Sequence, residues 1–324
     1  MEAAAAKGLR AVRHDLLNEK DAGTIYVAGN PKAKHQIIFI PGFPCDQTSF
    51  FGLAAEFVKN SDDVFVGCTC LPEFDRVGPN GLEPLKPEGY NWKEQLTCFH
   101  QAIKKVKEIC NEAKDTKLVL VCHDWGTASA FAFSSEIGCD KLVCFDVIPS
   151  SMTHGLYNYV VHTLYQKQLA LSFGLSRYVS SFVGQIFFVA TAAINFGLLG
   201  RWLRPTGPLD YIPGKGSGLK PTAIKPFHMY PYWHYIFDYE SFSNIISLNR
   251  CLKKSPILYL YGAQKNTMFH SPQHLVDIEN AGNGSKVVRV EEASHWLYKQ
   301  QPEICYNEMK NFIFNEFPVA KSNL

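Results

Sequence analysis

The sequence lacks several features that would point to a metalloprotein or a secreted protein. It contains ten cysteines but no Cys-x-x-Cys spacing, and Cys68 and Cys70 are too close together for the usual metal-ligand pair, so we predict no metal site. The first ten residues, MEAAAAKGLR, lack a basic segment followed by an apolar one and predict no signal peptide. Cysteines inside apolar segments, such as Cys122 and Cys144, behave as small hydrophobic residues. We therefore expect an intracellular protein in a reducing compartment, either cytoplasmic or peripherally membrane-associated, that needs no cofactor.

The sequence also lacks a strong charge of one sign. Its net charge is +2, which implies no nucleic-acid partner. The charge is unevenly distributed, because residues 147–237 contain seven lysines or arginines and only one acidic residue, Asp210. That segment carries +6 and the rest of the chain −4. This asymmetry favours an insertion with its own surface role, although an ordinary solvated face would give the same count.

Short apolar segments alternate with longer amphipathic ones along most of the chain. The apolar segments have four to six residues, rich in β-branched and aliphatic side chains, which is typical of parallel strands covered on both faces. Their alternation with helical segments predicts a doubly wound, mostly parallel α/β sheet, preceded by an antiparallel strand at 24–28. The predicted parallel strands are 36–40, 64–67, 118–122, 142–147, 257–261 and 287–290, and the predicted helices are 92–110, 126–137, 272–279 and 302–314.

The alternation stops near Pro149 and resumes near Ser255. We therefore predict a core formed by residues 1–148 and 255–324, with residues 149–254 inserted as an apolar, basic and mainly helical lid. Ligands of open α/β sheets bind outside the carboxyl ends of the strands. The lid is expected to lie over that edge.

An aspartate stands between a predicted strand and a predicted helix in the segment VCHDWGTASAFAF (residues 121–133). Asp124 has small residues two positions before and two after it, the spacing of a nucleophile elbow, a sharp strand-to-helix turn. Such a turn would present the carboxylate to the cleft and leave the Trp125 N–H free to hold negative charge. The alternative is that Asp124 caps the following helix.

A carboxylate nucleophile is already ionised at neutral pH, so it can displace a leaving group at a saturated carbon without a base. The resulting ester must then be hydrolysed, which requires a base and an oxyanion hole. His295 follows the last predicted strand and is the candidate base. The segment IPGFP (residues 40–44) follows an early strand, and its Phe43 N–H is the candidate second oxyanion donor beside that of Trp125.

These motifs resemble those of the α/β-hydrolase superfamily, in particular epoxide hydrolases and haloalkane dehalogenases, over residues 20–150 and 250–318. The resemblance implies that Asp124 is the nucleophile, that His295 is the base and that Trp125 lines the site. Dehalogenases typically have Asn in the oxyanion loop, whereas epoxide hydrolases have Phe, as here at Phe43. The resemblance therefore favours epoxides as substrates.

Two positions depart from the pattern of the family. Pro41 stands where the family usually has His before Gly-Phe-Pro. Asn266 stands where the acid that supports the base often lies, and an amide cannot stabilise an imidazolium by charge. Some dehalogenases take this acid from the end of the preceding strand, which matches Asp146. Asp146 is the favoured acid, but it could instead be a structural residue, and Asn266 could orient His295 without a charge.

Epoxide opening also needs a proton donor for the departing oxygen, and the resemblance implies two lid tyrosines. Tyr235 is our first candidate and Tyr232 the second, both in the segment MYPYWHY (residues 229–235). Tyr165 is the candidate for the other tyrosine. Each could equally be an ordinary amphipathic aromatic residue, and His234 is expected to pack rather than react.

Residues 178–200 contain no charge and are bounded by Arg177 and Arg201. Three interpretations remain open: buried lid helices around an apolar pocket, a segment in a membrane interface with the basic lid facing anionic lipid, or a true span. A single span would separate Asp124 from His295.

The favoured function is an epoxide hydrolase that acts on a small hydrophobic substrate through an alkyl-enzyme ester. A haloalkane dehalogenase is the near alternative. Pro41 and Asn266 also allow a weakly active or non-catalytic membrane-associated binding protein with the same fold.

Overall fold

An eight-stranded sheet forms the centre of the protein in a computed structural model that describes residues 7–77, 82–111, 115–149, 155–192, 224–264 and 268–315. The strand order is β1-β2-β4-β3-β5-β6-β7-β8. β2 is antiparallel to β1 and to β4, and all other neighbours are parallel. The predicted α/β fold is therefore confirmed. The strands are β1 (Arg10–Leu16), β2 (Glu19–Gly29), β3 (His35–Ile40), β4 (Val64–Cys68), β5 (Lys117–His123), β6 (Lys141–Phe145), β7 (Ile257–Gly262) and β8 (Lys286–Val290).

The central strands are the ones that the sequence identifies correctly. Every residue of β3, β4 and β6 is buried, because helices cover both faces of the sheet and only continuous apolar segments fit there. Strand β1 was not predicted from the sequence, and its residues are mostly exposed or half-buried at the sheet edge. A polar edge strand gives no continuous apolar signal.

Twelve α-helices are described, and several begin at identifiable caps. Asn91 and Glu94 form a capping box at the start of α3, and Ser271 caps α10 just before Pro272. The helices are α1 (Phe51–Asn60), α2 (Phe74–Val77), α3 (Trp92–Ile109), α4 (Gly126–Glu136), α5 (Gly155–Tyr178), α6 (Ser181–Ala192), α7 (Tyr230–Phe237), α8 (Tyr239–Ile245), α9 (Leu248–Lys254), α10 (Pro272–Glu279), α11 (Leu297–Gln300) and α12 (Pro302–Phe314).

Two apolar layers enclose the sheet. On one face, α1 and α12 pack their buried side chains, such as Phe57 and Phe312, against the strands. On the other face, α3, α4 and α9 form the larger layer. α4 is buried almost all round, since it lies between the sheet and its neighbours. This places the start of α4 firmly at the carboxyl edge of β5.

The connection between β6 and β7 contains the segment predicted to be a lid. β6 ends at Phe145, β7 begins at Ile257, and the regular elements described between them are all helical. The two strands pair directly, with Leu142 opposite Ile257. The domain boundaries at residues 148 and 255 and the role as a lid stay predictions.

The ten cysteines are free thiols, and all but the half-buried Cys70 are buried. Burial raises the pKa of Cys45 to about 12, so this thiol stays protonated. The cysteines therefore pack as small hydrophobic residues, as the sequence indicates. Among the helices that can be described, none combines the length and the apolar character needed to cross a bilayer.

Candidate functional site

Asp124 lies at a sharp turn between β5 and α4. Its φ of 52° is in the left-handed region, which few residues other than glycine adopt. A methyl group placed on Gly126 would lie 2.3 Å from the carbonyl oxygen of Ile40, and one placed on Gly42 would lie 2.1 Å from the nitrogen of Trp125. The turn is therefore closed by two backbone approaches that only glycine permits. This is the geometry expected of a nucleophile elbow.

The carboxylate of Asp124 does not cap α4. The N-cap residue is Trp125, whose side chain makes no capping hydrogen bond. Instead, Oδ2 of Asp124 lies 3.3 Å from Nε2 of His295. Asp124 Oδ1 is buried and accepts no hydrogen bond from any residue described. It would lie 2.5 Å from a methyl group on Gly42, so it occupies the crevice between the residue 40–44 loop and the elbow.

His295 lies in the loop between β8 and α11, at the same edge of the sheet as Asp124. Its Nδ1 lies 2.7 Å from Oδ2 of Asp146 while its Nε2 faces Asp124. Each ring nitrogen thus has one carboxylate partner. An imidazole held in this way has a fixed orientation and a favoured protonated form.

Asp146 immediately follows β6 and is fully buried. Its φ of 66° turns the chain sharply at the strand end. The backbone N–H of Gly262 donates to Oδ1 at 3.2 Å, and His295 bonds to Oδ2. These bonds offset the cost of burying a carboxylate. Asn266, the other candidate partner of His295, lies outside the described residues.

The charges around His295 determine its protonation. Burial opposes protonation, but the hydrogen bonds and negative charges of Asp124 and Asp146 outweigh it and raise the pKa of His295 to about 9. At neutral pH the imidazole therefore carries a proton between two carboxylates. Removing the negative charge of Asp124 or Asp146 would lower the pKa of His295 and increase its neutral fraction at neutral pH.

Two tyrosine hydroxyls meet above the elbow. Tyr165 on α5 and Tyr232 on α7 have their hydroxyl oxygens 3.0 Å apart. The ring of Tyr232 packs edge-to-face on Trp125 at 5.0 Å and on Phe43 at 5.6 Å. Burial raises the pKa of both hydroxyls, and the nearby Asp124 carboxylate raises them further. Both tyrosines are thus proton donors at neutral pH.

Tyr235, the first choice from the sequence, lies three residues further along α7. Its ring packs against Trp125 at 5.5 Å and against Phe242 at 5.0 Å. The structure therefore pairs Tyr165 with Tyr232 and places Tyr235 in the aromatic packing behind Trp125. His234 is also in α7, and burial lowers its pKa, which agrees with a packing role.

Two further residues at the site were not singled out from the sequence. The ring of Phe269 lies 5.3 Å from that of His295. His123 is fully buried and lies 4.4 Å from the ring of His295, with its Nε2 donating to the His295 carbonyl oxygen at 2.9 Å. Its position next to Asp124 was the available signal. No cluster of three metal-ligating side chains occurs in the described ranges of the chain.

Comparisons with known proteins agree with this architecture. No protein-family model matches the sequence, and a search of curated proteins finds no relative. Among solved structures, a haloalkane dehalogenase from Paraglaciecola agarilytica is 12% identical with a TM-score of 0.62, covering 95% of this chain and 93% of the other. An epoxide hydrolase from Bacillus megaterium is 17% identical with a TM-score of 0.55, covering 90% and 98%.

A thermophilic esterase from Thermogutta terrifontis is also similar, at 12% identity and a TM-score of 0.57, covering 94% of this chain and 97% of the other. These three proteins have different activities on one architecture. The chain therefore has the α/β-hydrolase fold, and its reaction must be inferred from its own residues.

Proposed function

We propose that the protein is a hydrolase with Asp124 as nucleophile, and that it opens epoxides of small hydrophobic molecules. The observation that carries this proposal is the alignment of Asp124, His295 and Asp146 beneath the Tyr165–Tyr232 hydroxyl pair. The aligned residues supply a nucleophile, a base and an acid that orients the base. The hydroxyl pair supplies the proton that an epoxide oxygen needs when its bond to carbon breaks.

In the first step, the two tyrosine hydroxyls hold the epoxide oxygen. The Asp124 carboxylate attacks one ring carbon, the carbon–oxygen bond breaks, and the oxygen takes a proton from a tyrosine. The products are an alkyl ester on Asp124 and a tyrosinate. The rings of Phe43, Trp125 and Phe269 surround this position and favour an apolar substrate.

Ester formation removes the negative charge of Asp124. The pKa of His295 then falls, because one of the two carboxylates that raise it is gone. His295 can return its proton to the tyrosinate and become neutral. It is then able to accept a proton from water in the second step.

In that step, water loses a proton to His295 and attacks the carbonyl carbon of the aspartyl ester. The backbone N–H groups of Phe43 and Trp125 are the proposed donors to the oxyanion. The ester bond breaks, the diol leaves, and Asp124 is again a carboxylate. Asp146 stabilises the imidazolium that forms on His295.

Two other reactions are less well supported. A halide leaves without needing a proton, so a dehalogenase would not need the paired hydroxyls as acids. If Asp124 attacked a carboxylic ester, the product would be an anhydride, which is less stable than the starting ester. The epoxide reaction uses Asp124, His295, Asp146 and both tyrosine hydroxyls.

Intact-mass spectrometry of His295→Gln tests this function. The variant keeps Asp124 but loses the base, so incubation with a panel of lipophilic epoxides should add the mass of one epoxide per chain. The double variant Asp124→Asn/His295→Gln is the control and should gain no mass. Adducts with haloalkanes but not with epoxides would indicate a dehalogenase, and no adduct with either class would favour a binding protein.

A further inference from the structure

Helix α6 (Ser181–Ala192) is apolar on all sides, yet much of its surface is open to solvent. Its side chains Phe182, Ile186 and Val189 are 72%, 53% and 56% exposed. A helix that is apolar all round is normally buried in a protein or in a membrane. The exposed side of α6 therefore requires a partner.

The packing of α6 defines which side is exposed. Gly184 lies against Ser176 of α5, where a methyl group on the glycine would lie 2.4 Å from the Ser176 Cβ. Phe188 and Thr191 are buried on the same inner side. Helices α5 and α6 thus form a tight hairpin with an apolar outer surface. We call this surface the outer hairpin face, formed by Tyr178, Val179, Phe182, Val183, Ile186 and Val189, all of them exposed.

The charged side chains of α5 and α6 have one sign. Lys167 and Arg177 are exposed on α5, and residues 155–192 contain no Asp or Glu. The guanidinium of Arg177 lies over the ring of Tyr178, 5.9 Å from its centroid. Cations and a tyrosine bordering an apolar surface are typical of segments at a membrane–water interface.

We propose that the outer hairpin face docks onto the surface of an anionic phospholipid membrane. The apolar side chains would enter the boundary between headgroups and acyl chains, while Lys167 and Arg177 contact the phosphates. Charge complementarity favours lipid over a second copy of this chain, because like charges would then face each other across the interface. This surface role is independent of the reaction proposed above.

A tryptophan introduced at the centre of the face reports on it directly. In Phe182→Trp, the added indole should emit at long wavelength in buffer and shift to shorter wavelength with vesicles of phosphatidylglycerol and phosphatidylcholine. The spectrum of the native chain, which has five tryptophans, is subtracted. A short-wavelength signal in buffer that vesicles do not change would overturn the proposal, because the protein itself or a second copy would then cover the face.

Flotation with the same vesicles gives the second test. The double variant Phe182→Asp/Ile186→Asp should bind on the order of a hundredfold more weakly, since it replaces buried apolar area with charge. Ile137→Asp/Ile304→Asp is the matched control, because Ile137, at the end of α4, is 58% exposed and Ile304, on α12, is 45% exposed. It should bind as the native chain does.

Pure phosphatidylcholine vesicles and the variant Lys167→Glu/Arg177→Glu test the role of charge. Both changes should weaken flotation by about tenfold or more. Equal loss of flotation in the control double variant, or flotation that does not depend on anionic lipid, would contradict docking through this face.

Discussion

His123 and His295 lie against each other behind the candidate nucleophile, and their pKa values are shifted in opposite directions. Their ring centroids are 4.4 Å apart, and His123 Nε2 donates to the His295 carbonyl oxygen. Burial and the neighbouring charge of His295 lower the pKa of His123 to about 3, whereas the two carboxylates raise that of His295 to about 9. Only one of the two imidazoles is charged at neutral pH, so they do not repel each other.

We predict that His123 makes folding sensitive to acid. Its folded-state pKa is below the unfolded value of 6.5, so the unfolded chain binds a proton that the folded chain does not as the pH falls from 6.5 towards 3. Stability is therefore lost in that window, by at most about 1.4 kcal/mol per pH unit. In His123→Gln, the free energy of unfolding measured at pH 4.5, 5.5 and 7 should depend less steeply on pH than in the native chain.

His228→Gln is the control for this prediction. His228 is also buried, with its pKa lowered to about 4, but it packs against Phe74 rather than at the site. The His228→Gln substitution should reduce the pH dependence of the free energy of unfolding in the same way and leave catalysis unchanged. If His123→Gln keeps the full pH dependence, His123 is not the buried neutral group described.

Asp146→Asn should uncouple the two steps of the reaction. The amide keeps the size of the side chain but removes the charge that helps to raise the pKa of His295, so the kinetic pKa of ester hydrolysis should move to lower pH. Hydrolysis should slow by roughly 10²–10⁴-fold, whereas ester formation on Asp124 continues. Single-turnover kinetics and intact mass would show the ester accumulating.

Asp277→Asn is the matched substitution, since Asp277 is half-buried and bonds only to the side chain of Gln273 among the contacts described. It should behave as the native enzyme does. Unchanged ester hydrolysis in Asp146→Asn would shift the supporting role to another residue, with Asn266 as the first candidate.

Tyr165→Phe/Tyr232→Phe should impair epoxide opening specifically. Loss of both proton donors should slow formation of the ester by roughly 10²–10⁴-fold, because the departing oxygen must leave as an alkoxide. Tyr235→Phe, three residues further along α7, should change the rate by less than about threefold. A larger effect from Tyr235 than from the Tyr165–Tyr232 pair would restore the first choice made from the sequence.

Gly42→Ala should inactivate the protein while leaving most of its fold intact. The added methyl group would lie 2.1 Å from the Trp125 nitrogen and 2.5 Å from Asp124 Oδ1, so the crevice of the proposed oxyanion hole must widen. We expect a loss of roughly 1–3 kcal/mol in the free energy of unfolding. Gly52→Ala on α1 meets no atom within 4 Å and should be neutral or stabilise by up to about 1 kcal/mol.

The central residues of the site could be predicted from the sequence because they lie beyond the ends of strands. Asp124 and Asp146 each follow a buried, apolar strand, and His295 follows the partly exposed β8. The carboxyl ends of these parallel strands meet at one edge. Asp146 matched the strand end from which some dehalogenases take this acid, and in the structure its carboxylate has two hydrogen-bond partners, the Gly262 N–H and His295.

The pairing of the tyrosines could not be predicted from the sequence in the same way. Tyr232 and Tyr235 are three residues apart on α7, so both lie on one side of the helix, and both contact Trp125. Only the packing of α5 against α7 decides which hydroxyl meets Tyr165, and no local pattern encodes that packing. Similarly, strand alternation would direct His123 away from Asp124, and its contact with the His295 loop depends on a residue far along the chain.

The direct pairing of β6 with β7 fixes the strand ends independently of the long segment that connects the two strands in the chain. Leu142 faces Ile257 across a ladder that holds Asp146 in place whatever connects the two strands. Lengthening a flexible connection is cheap, about 0.6 kcal/mol for each doubling. The segment between β6 and β7 can therefore change in sequence and length, to suit new substrates or new cellular surfaces, without disturbing Asp124, Asp146 and His295.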